Sequence, residues 1–135
     1  MPQFVLLEHD HPELHWDFML ERGDGLQTWR LDRIPSEAGQ IAAVALPDHR
    51  KEYLDYEGPV SQDRGSVARI DRGNFELLES APGRVIVRLY GDRLAGEARL
   101  LQLSSEGSLD RSVWRMMWQP TDNSDGETSG CDETR

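Results

Sequence analysis

The sequence predicts an all-β fold: a single compact domain of mainly antiparallel strands that close into a barrel or stack as a sandwich. Three observations predict it. About nine short runs alternate apolar and polar residues, turn-forming residues separate these runs, and no segment repeats apolar residues at helical spacing over ten or more positions. A chain of 135 residues suffices for one domain. So many short strands must close or stack, because open strand edges invite aggregation.

The predicted strands are, in order, 3–7, 14–21, 26–31, 41–46, 66–71, 74–79, 84–90, 97–103 and 112–118. Turns are predicted at 23–25 (Gly-Asp-Gly), at 71–73 (Asp-Arg-Gly) and at 82–83 (Pro-Gly). Residues 48–55 are the one stretch whose pattern indicates a short helical turn. The folded domain is expected to span residues 1–120.

Residues 121–135 are predicted to form a disordered acidic tail. This stretch has almost no apolar residues, so it cannot bury enough surface to offset the entropy lost on ordering. Its Cys131 is the only cysteine of the chain, which excludes an intramolecular disulfide and a thiolate zinc site and makes a reducing, cytoplasmic setting the expectation. The first residues lack the basic start and the long apolar stretch typical of a signal peptide, and no apolar run approaches ~18 residues, so no membrane partner is expected.

The net charge of −10 argues at first against a nucleic-acid partner, because phosphate binding normally accompanies a basic excess. Two details weaken that argument. All of the 15 basic residues except Lys51 are arginines, whose planar guanidinium grips phosphate at two points. The tail carries −4 of the charge, which leaves −6 on the predicted domain. The acidity of the chain therefore does not exclude a nucleic-acid partner.

A cluster of histidines and one aspartate is the candidate site. Three of the four histidines, His9, His11 and His15, lie within seven residues, and Asp17 follows. Successive side chains of a strand point to opposite faces, so His15, Asp17 and Met19 share one face. The apolar residues at positions 14, 16, 18 and 20 share the other face, which should be the core face.

Two imidazoles and a carboxylate on one face bind Mn, Fe or Zn and leave coordination positions open. His9 is the expected second imidazole. His11 is the alternative, but it precedes Pro12 and is expected in a loop. The competing interpretation is a solvated strand face with no metal. Further along, His49 and Tyr53 are four residues apart, so a helical turn would put both on one face.

Five motifs occur in a fixed order. The first is H-D-x-x-x-L-H-W-D-F-x-L-E from position 9, and the second is Trp29 followed by Pro-Ser at 35–36. The third is D-H-x-x-E-Y-x-D-Y-E-G from position 48. The last two are D-R-G from position 71 and R-L-Y-G-D-R-L-x-G from position 88. Together they resemble the 3′-phosphoesterase domain of bacterial DNA ligase D and of stand-alone relatives. The resemblance covers residues 4–118.

The resemblance implies a compact β-barrel with one or two short helical turns and a divalent metal, manganese first, with zinc or cobalt as alternatives. It implies that His9, His15 and Asp17 are the metal ligands and that His49 and Tyr53 act at the scissile phosphate. The implied activity trims a 3′-terminal ribonucleotide or phosphate and leaves a 3′-hydroxyl. The implied partners are nucleic-acid 3′ ends and a separately encoded ligase or polymerase, and we expect a monomer.

Three positions bear on phosphate binding. The resemblance implies arginine where this chain has Met19 and a basic residue where it has Ile41, while Arg33 keeps a charge and is the expected substrate-binding residue. The missing cations raise a second hypothesis, a catalytically weakened metal-binding module that recognises nucleic-acid ends or a protein partner. Other arginines that would compensate are Arg30, Arg50 and Arg64.

A third hypothesis is a cupin-like metal oxygenase, because two histidines and a carboxylate on a β-barrel also suit Fe(II). The sequence lacks the second downstream histidine motif that such a site needs. The tryptophans raise the question of base stacking. Trp16 and Trp29 alternate with core residues, so core packing is expected for both, and Trp118 is left open.

Overall fold

The computed structural model describes residues 2–60, 63–104 and 112–121. The strands in these ranges are β1 Gln3–His9, β2 His15–Arg22, β3 Gly25–Leu31, β4 Gly39–His49, β5 Gly58–Pro59, β6 Ser66–Ala81, β7 Arg84–Gly91, β8 Ala95–Ser104 and β9 Ser112–Pro120. A 3₁₀ helix, Lys51–Leu54, falls within the predicted helical turn. Except for Thr121, the predicted tail with Cys131 lies outside the described residues. None of the helices in the described ranges has the length and apolar character that a membrane crossing needs.

The strands form one antiparallel sheet in the order β1-β2-β3-β4-β9-β8-β7-β6-β5, and β1 also pairs with β6. This pairing of β1 with β6 closes eight of the strands in the described ranges into a ring, and among these strands only the short β5 lies outside it. Closure removes most of the exposed strand edges that an open sheet of this size would present. The predicted all-β, antiparallel fold is confirmed.

Every strand of the ring contributes side chains to one interior core, which includes Phe4, Phe18, Trp29, Leu100 and Trp114. The rings of Trp29 and Trp114 meet edge to face with their centroids 5.5 Å apart. Burial of large aromatic side chains of this kind dominates the stability of small domains.

The burial of Leu14 differs from the expectation, and the packing of the tryptophans is now defined. Leu14, predicted on the core face, precedes β2 and is 55% exposed. Trp118 packs in the interior core together with Trp29. Trp16 is partly buried and packs against the same core, as expected, and it donates a hydrogen bond from Nε1 to Glu8. Packing, not base stacking, therefore accounts for Trp29 and Trp118.

The prediction of a turn at 71–73 is wrong. The predicted strands 66–71 and 74–79 are one strand, β6, which pairs with β1 through its first half and with β7 through its second. Gly73 lies where two strands approach closely: a Cβ there would be 2.4 Å from the carbonyl oxygen of Tyr90. Glycine is required because the backbones nearly touch, and the same residue type had suggested a turn.

Asp71 of the same motif holds the β7–β8 connection. Its side chain is buried, and its carboxylate accepts backbone N–H bonds from Asp92, Arg93 and Leu94 at 3.2, 3.0 and 2.7 Å. Three donors to one carboxylate satisfy a charge that would otherwise be costly to bury. The two motifs predicted at 71–73 and 88–96 are thus one scaffold feature that joins β6 to the β7–β8 turn.

A second, smaller core lies on the outside of the ring. It consists of Val5, Leu7, Met19, Leu26, Leu54 and Val67, and we call it the outer cluster. Its members belong to β1, β2, β3, β6 and the 3₁₀ helix, and Tyr53 and Val60 pack against it. Residues 50–60, which we call the covering segment, therefore lie over the outer face of β1, β2 and β3. The edge of this covered face forms the candidate site.

Candidate functional site

The candidate metal ligands are brought together by the antiparallel pairing of β1 and β2. His9 is directly opposite His15 in this pair, and Asp17 is two residues further along β2 on the same face. The ring centroids of His9 and His15 are 4.9 Å apart. One ligand atom from each of the three residues lies within 4.8 Å of the others, which is close enough for all three to contact one ion. The predicted sharing of one face by His15 and Asp17 is confirmed.

Backbone carbonyls fix the orientation of both imidazoles. His15 Nδ1 is 2.8 Å from the carbonyl oxygen of Glu13, and His9 Nε2 is 2.8 Å from that of Arg64. A carbonyl oxygen only accepts, so each of these ring nitrogens carries the proton and donates it. The other nitrogen of each ring faces Asp17, with His15 Nε2 3.2 Å from Oδ1 and His9 Nδ1 3.7 Å from Oδ2. A backbone carbonyl that orients a ligating histidine is the usual arrangement at metal sites.

The carboxylate of Asp17 supports the same interpretation. Asp17 is 3% exposed and its Oδ1 accepts no hydrogen bond of acceptable geometry, although His15 Nε2 is only 3.2 Å away. A buried carboxylate oxygen without a donor is costly, and a cation between it and two ring nitrogens would relieve that cost. The residues present therefore fit a divalent metal. They do not fit a solvated strand face, because His15 and Asp17 are both buried.

The contact with Asp17 raises the pKa of His15 above its ordinary value. Burial of the ring acts in the opposite direction because it disfavours the charged form, and the positive charge of Arg30 also lowers this pKa. The contact with Asp17 outweighs these two effects, so the net shift of the His15 pKa is upward.

His49 and Tyr53 meet at the wall of the same pocket. The pocket has a volume of about 340 Å³ and is lined by the three candidate ligands together with His49, Tyr53, Met19 and Arg30. The rings of His49 and Tyr53 meet edge to face with centroids 6.0 Å apart. The expectation that one helical turn contains both residues is wrong: His49 is the last residue of β4, whereas Tyr53 is in the 3₁₀ helix. The carbonyl oxygen of Pro47 accepts a hydrogen bond from His49 Nδ1 at 3.0 Å, so Nε2 is the ring nitrogen that remains available for another contact.

The positions implied for phosphate contact do not all meet here. Met19 lines the pocket as predicted and is 1% exposed. The expectation that Ile41 occupies a phosphate-contact position is wrong, because it packs in the interior core of the ring. Arg33 is also not brought to this pocket: it is exposed in the β3–β4 loop, and its guanidinium donates to the carbonyl of Gln40.

Among the described residues, the arginines that line the pocket are Arg30 and Arg64. The sequence contains a signal for Arg30. Trp29 and Leu31 point into the ring, so Arg30 must point outward, and the short β2–β3 hairpin pairs Arg30 with Asp17. The position of Arg64 depends on the loop between β5 and β6, which has no comparable pattern.

The chain is thus a closed antiparallel β domain with a His-His-Asp cluster on its outer face, in which His15 and Asp17 are buried and His9 is partly buried. It matches the family described as the DNA Ligase D 3'-phosphoesterase domain over residues 7–102. That match spans most of the chain, and the protein belongs to this family, as the motifs indicated.

Similar proteins carry names from DNA end joining. The multifunctional non-homologous end joining protein LigD of Pseudomonas aeruginosa is 28% identical over 140 residues, covering 96% of this chain and 16% of that protein. The protein of the same name from Mycobacterium bovis is 31% identical over 112 residues, covering 76% of this chain and 15% of that protein. A LigD of Mycobacterium tuberculosis matches with the same figures. The chain therefore spans about a sixth of the length of these relatives.

Proposed function

We propose that the protein is a divalent-metal-dependent phosphoesterase that acts on nucleic-acid 3′ ends in DNA repair. On this proposal it removes a 3′-terminal phosphate or ribonucleotide and leaves a 3′-hydroxyl. One observation carries the proposal. Two imidazoles oriented by backbone carbonyls lie in one pocket with His49 and with a carboxylate whose buried Oδ1 has no hydrogen-bond donor, in a domain of the phosphoesterase family. Manganese is the first choice of metal, with zinc and cobalt as alternatives.

His9, His15 and Asp17 would hold the metal. A divalent cation supplies Lewis-acid polarisation of a phosphate oxygen and a more acidic bound water. The three residues offer one ligand atom each, which leaves coordination positions open for water and substrate. The hydrogen bonds to the carbonyls of Glu13 and Arg64 place the proton of each neutral ring on the nitrogen away from Asp17, which aims the other nitrogen at the metal position.

His49 is the candidate acid–base group. With its Nδ1 bound to Pro47, its Nε2 can hold a proton for the leaving oxygen or neutralise charge on the phosphate. An imidazole suits either task because it titrates near neutral pH. The ring of Tyr53 packs against that of His49 and restricts its rotation, and the hydroxyl of Tyr53 can orient the phosphate.

The proposal includes a setting. We expect the protein to act as a cytoplasmic monomer and to deliver 3′-hydroxyl ends to a separately encoded ligase or polymerase. Its charge of −10 favours weak and salt-sensitive contact with a single strand end.

The test is direct. Protein stripped of metal with EDTA is given oligonucleotides ending in a 3′-phosphate or a 3′-ribonucleotide, with Mn²⁺, Zn²⁺ or Co²⁺ added separately. We expect conversion to 3′-hydroxyl products that stops in the His15→Ala variant, together with loss of Mn²⁺ binding. His11→Ala is the matched control and should keep Mn²⁺ binding, because its ring is outside the ligand cluster. Absence of product with every metal would refute the proposal.

Met19 motivates the second candidate function, a metal-binding module with weakened catalysis. A thioether cannot donate a hydrogen bond to phosphate, and Met19 fills the floor of the pocket. This alternative predicts measurable, metal-dependent binding of 3′ ends without turnover. Wild-type turnover that the Met19→Arg variant does not increase would exclude it.

A further inference from the structure

A phosphate beside the proposed metal needs cationic donors, because charge builds up on its non-bridging oxygens. Neither Met19, Ile41 nor Arg33 provides one in this pocket, since Met19 has no donor and the other two are elsewhere. The pocket nevertheless contains a guanidinium on a rigid strand, that of Arg30 in β3.

The strand pairing brings Arg30 to the ligand cluster. Arg30 is directly opposite Asp17 in the β2–β3 pair, and directly opposed residues of an antiparallel pair point to the same face. The side chain of Arg30 is 28% exposed, so the guanidinium lies at the mouth of the pocket and not beneath it. A substrate could therefore contact this cation without displacing the strand.

The ion pair that Arg30 makes with Glu13 is weak. The nearest atoms, Arg30 Nη2 and Glu13 Oε1, are 4.0 Å apart, and the Glu13 side chain is 85% exposed. Exposed pairs of this kind contribute little, because water screens them and both side chains lose freedom. By contrast, Arg99 on β8 is 2.6 Å from Glu97. Arg30 can exchange its carboxylate partner for a phosphate at little cost.

We propose that Arg30 binds the non-bridging oxygens of the 3′-terminal phosphate and supplies the cationic contact that Met19 cannot make. This inference rests on the proposed function and names the phosphate-binding residue of the same site. Guanidinium suits the role because its planar fork can donate two parallel hydrogen bonds to phosphate. Glu13 then acts as a competitor that occupies Arg30 when no substrate is bound.

Four variants test the proposal: Arg30→Gln, Arg30→Lys, Glu13→Gln and the control Arg99→Gln. Arg99 is a suitable control because β8 lies opposite β2 around the ring. We expect Arg30→Gln to lower kcat/KM for a 3′-phosphate oligonucleotide about 10- to 100-fold, the range for one lost charge-assisted contact. Arg30→Lys should lose less, since it keeps the charge, and Glu13→Gln should equal or exceed the wild type. Arg99→Gln should match the wild type.

A binding measurement separates this inference from the proposed function. In a His49→Gln background with Mn²⁺, fluorescence anisotropy compares labelled oligonucleotides that end in a 3′-phosphate or a 3′-hydroxyl. Arg30→Gln should abolish the preference for the phosphate end, while calorimetry should give an unchanged Mn²⁺ affinity.

Different results would overturn the proposed function and the role of Arg30. If the wild-type protein processes no 3′ end, the proposed function fails, and the anisotropy preference alone decides the role of Arg30. If Arg30→Gln behaves like Arg99→Gln in rate and in preference, the inference is overturned. It is also overturned if Arg30→Gln weakens Mn²⁺ binding in step with activity, because Arg30 would then support the ligand cluster and not the phosphate.

Discussion

Replacing Asp17 with asparagine tests the proposed metal centre with the smallest change of shape. The substitution removes the only carboxylate of the ligand cluster and leaves both imidazoles in place. It also replaces the buried Oδ1 that accepts no hydrogen bond. Loss of the contact with His15 lowers the free energy of unfolding, and removal of a buried oxygen that has no donor raises it. Each effect is typically worth about 1–3 kcal/mol. We therefore expect the metal-free variant to unfold within about 1 kcal/mol of the wild type.

The effect should appear when metal is added. At a Mn²⁺ concentration of about 100 times its Kd, binding stabilises the wild type by about 2.7 kcal/mol. At about 4 °C per kcal/mol for a domain of this size, the Tm should rise by roughly 10 °C. A 100-fold weaker variant at the same Mn²⁺ concentration gains only about 0.4 kcal/mol, or roughly 2 °C.

Thermal unfolding followed by circular dichroism, with EDTA or with Mn²⁺, measures both quantities. Asp24→Asn is the matched control, because Asp24 is exposed in the β2–β3 turn and should show the full metal-dependent rise. An Asp17→Asn variant with the wild-type rise in Tm would refute the assignment of Asp17 as a ligand. An Asp17→Asn variant that is unfolded in EDTA would refute the inference that the buried Oδ1, which has no donor, is costly to the fold.

Three further predictions concern other parts of the molecule. His49→Ala should reduce turnover by about 10²–10⁴ and leave the Mn²⁺-dependent rise in Tm intact, because His49 is outside the ligand cluster. Asp71→Ala should lower the free energy of unfolding by about 3–5 kcal/mol, measured in urea, because three backbone N–H groups lose a buried acceptor. Glu21→Gln should flatten the loss of stability in acid: hydrogen bonds from Gln3 and Lys51 lower the pKa of Glu21, so its ionised form stabilises the fold above the ordinary pKa and stops doing so as the pH falls through the lowered value.

Each of these has a contrary result. Loss of the metal-dependent rise in His49→Ala would make His49 a ligand. An Asp71→Ala variant as stable as the wild type would show that water replaces the carboxylate in the β7–β8 turn. If Glu21→Gln loses stability in acid as steeply as the wild type, the pKa of Glu21 is the same in the folded and the unfolded protein.

The sequence predicted the cluster in β2 because strand alternation is a strict geometric rule. The apolar residues Phe18 and Leu20 fix the inward face, so His15 and Asp17 must share the outward one. The same rule, extended across the hairpin, locates Arg30, and it required only the register that the short turn sets.

Other features were beyond this kind of reasoning. The tripeptide Asp-Arg-Gly at 71–73 has the composition of a turn. Only the backbone of Tyr90 beside Gly73 shows that this glycine allows two strands to approach closely within the long strand β6. Ile41 aligned with a contact position but packs inside the ring, because β4 presents that residue to the interior. Such outcomes depend on which strands become neighbours, which local pattern does not encode.

The two separate hydrophobic clusters give the candidate site two supports of unequal strength. Asp17 and His15 are on strands that the interior core holds, whereas Tyr53 belongs to the covering segment, which rests on the much smaller outer cluster. Regions with few buried apolar contacts open at lower free energy than the rest of a fold. The covering segment is also held by the pairing of β5 with β6 and by the ion pair between Asp55 and Arg72, and we expect it to open at a lower free energy than the ring. In that event the imidazole–carboxylate cluster stays assembled, and the pocket loses only the wall that Tyr53 and Val60 provide.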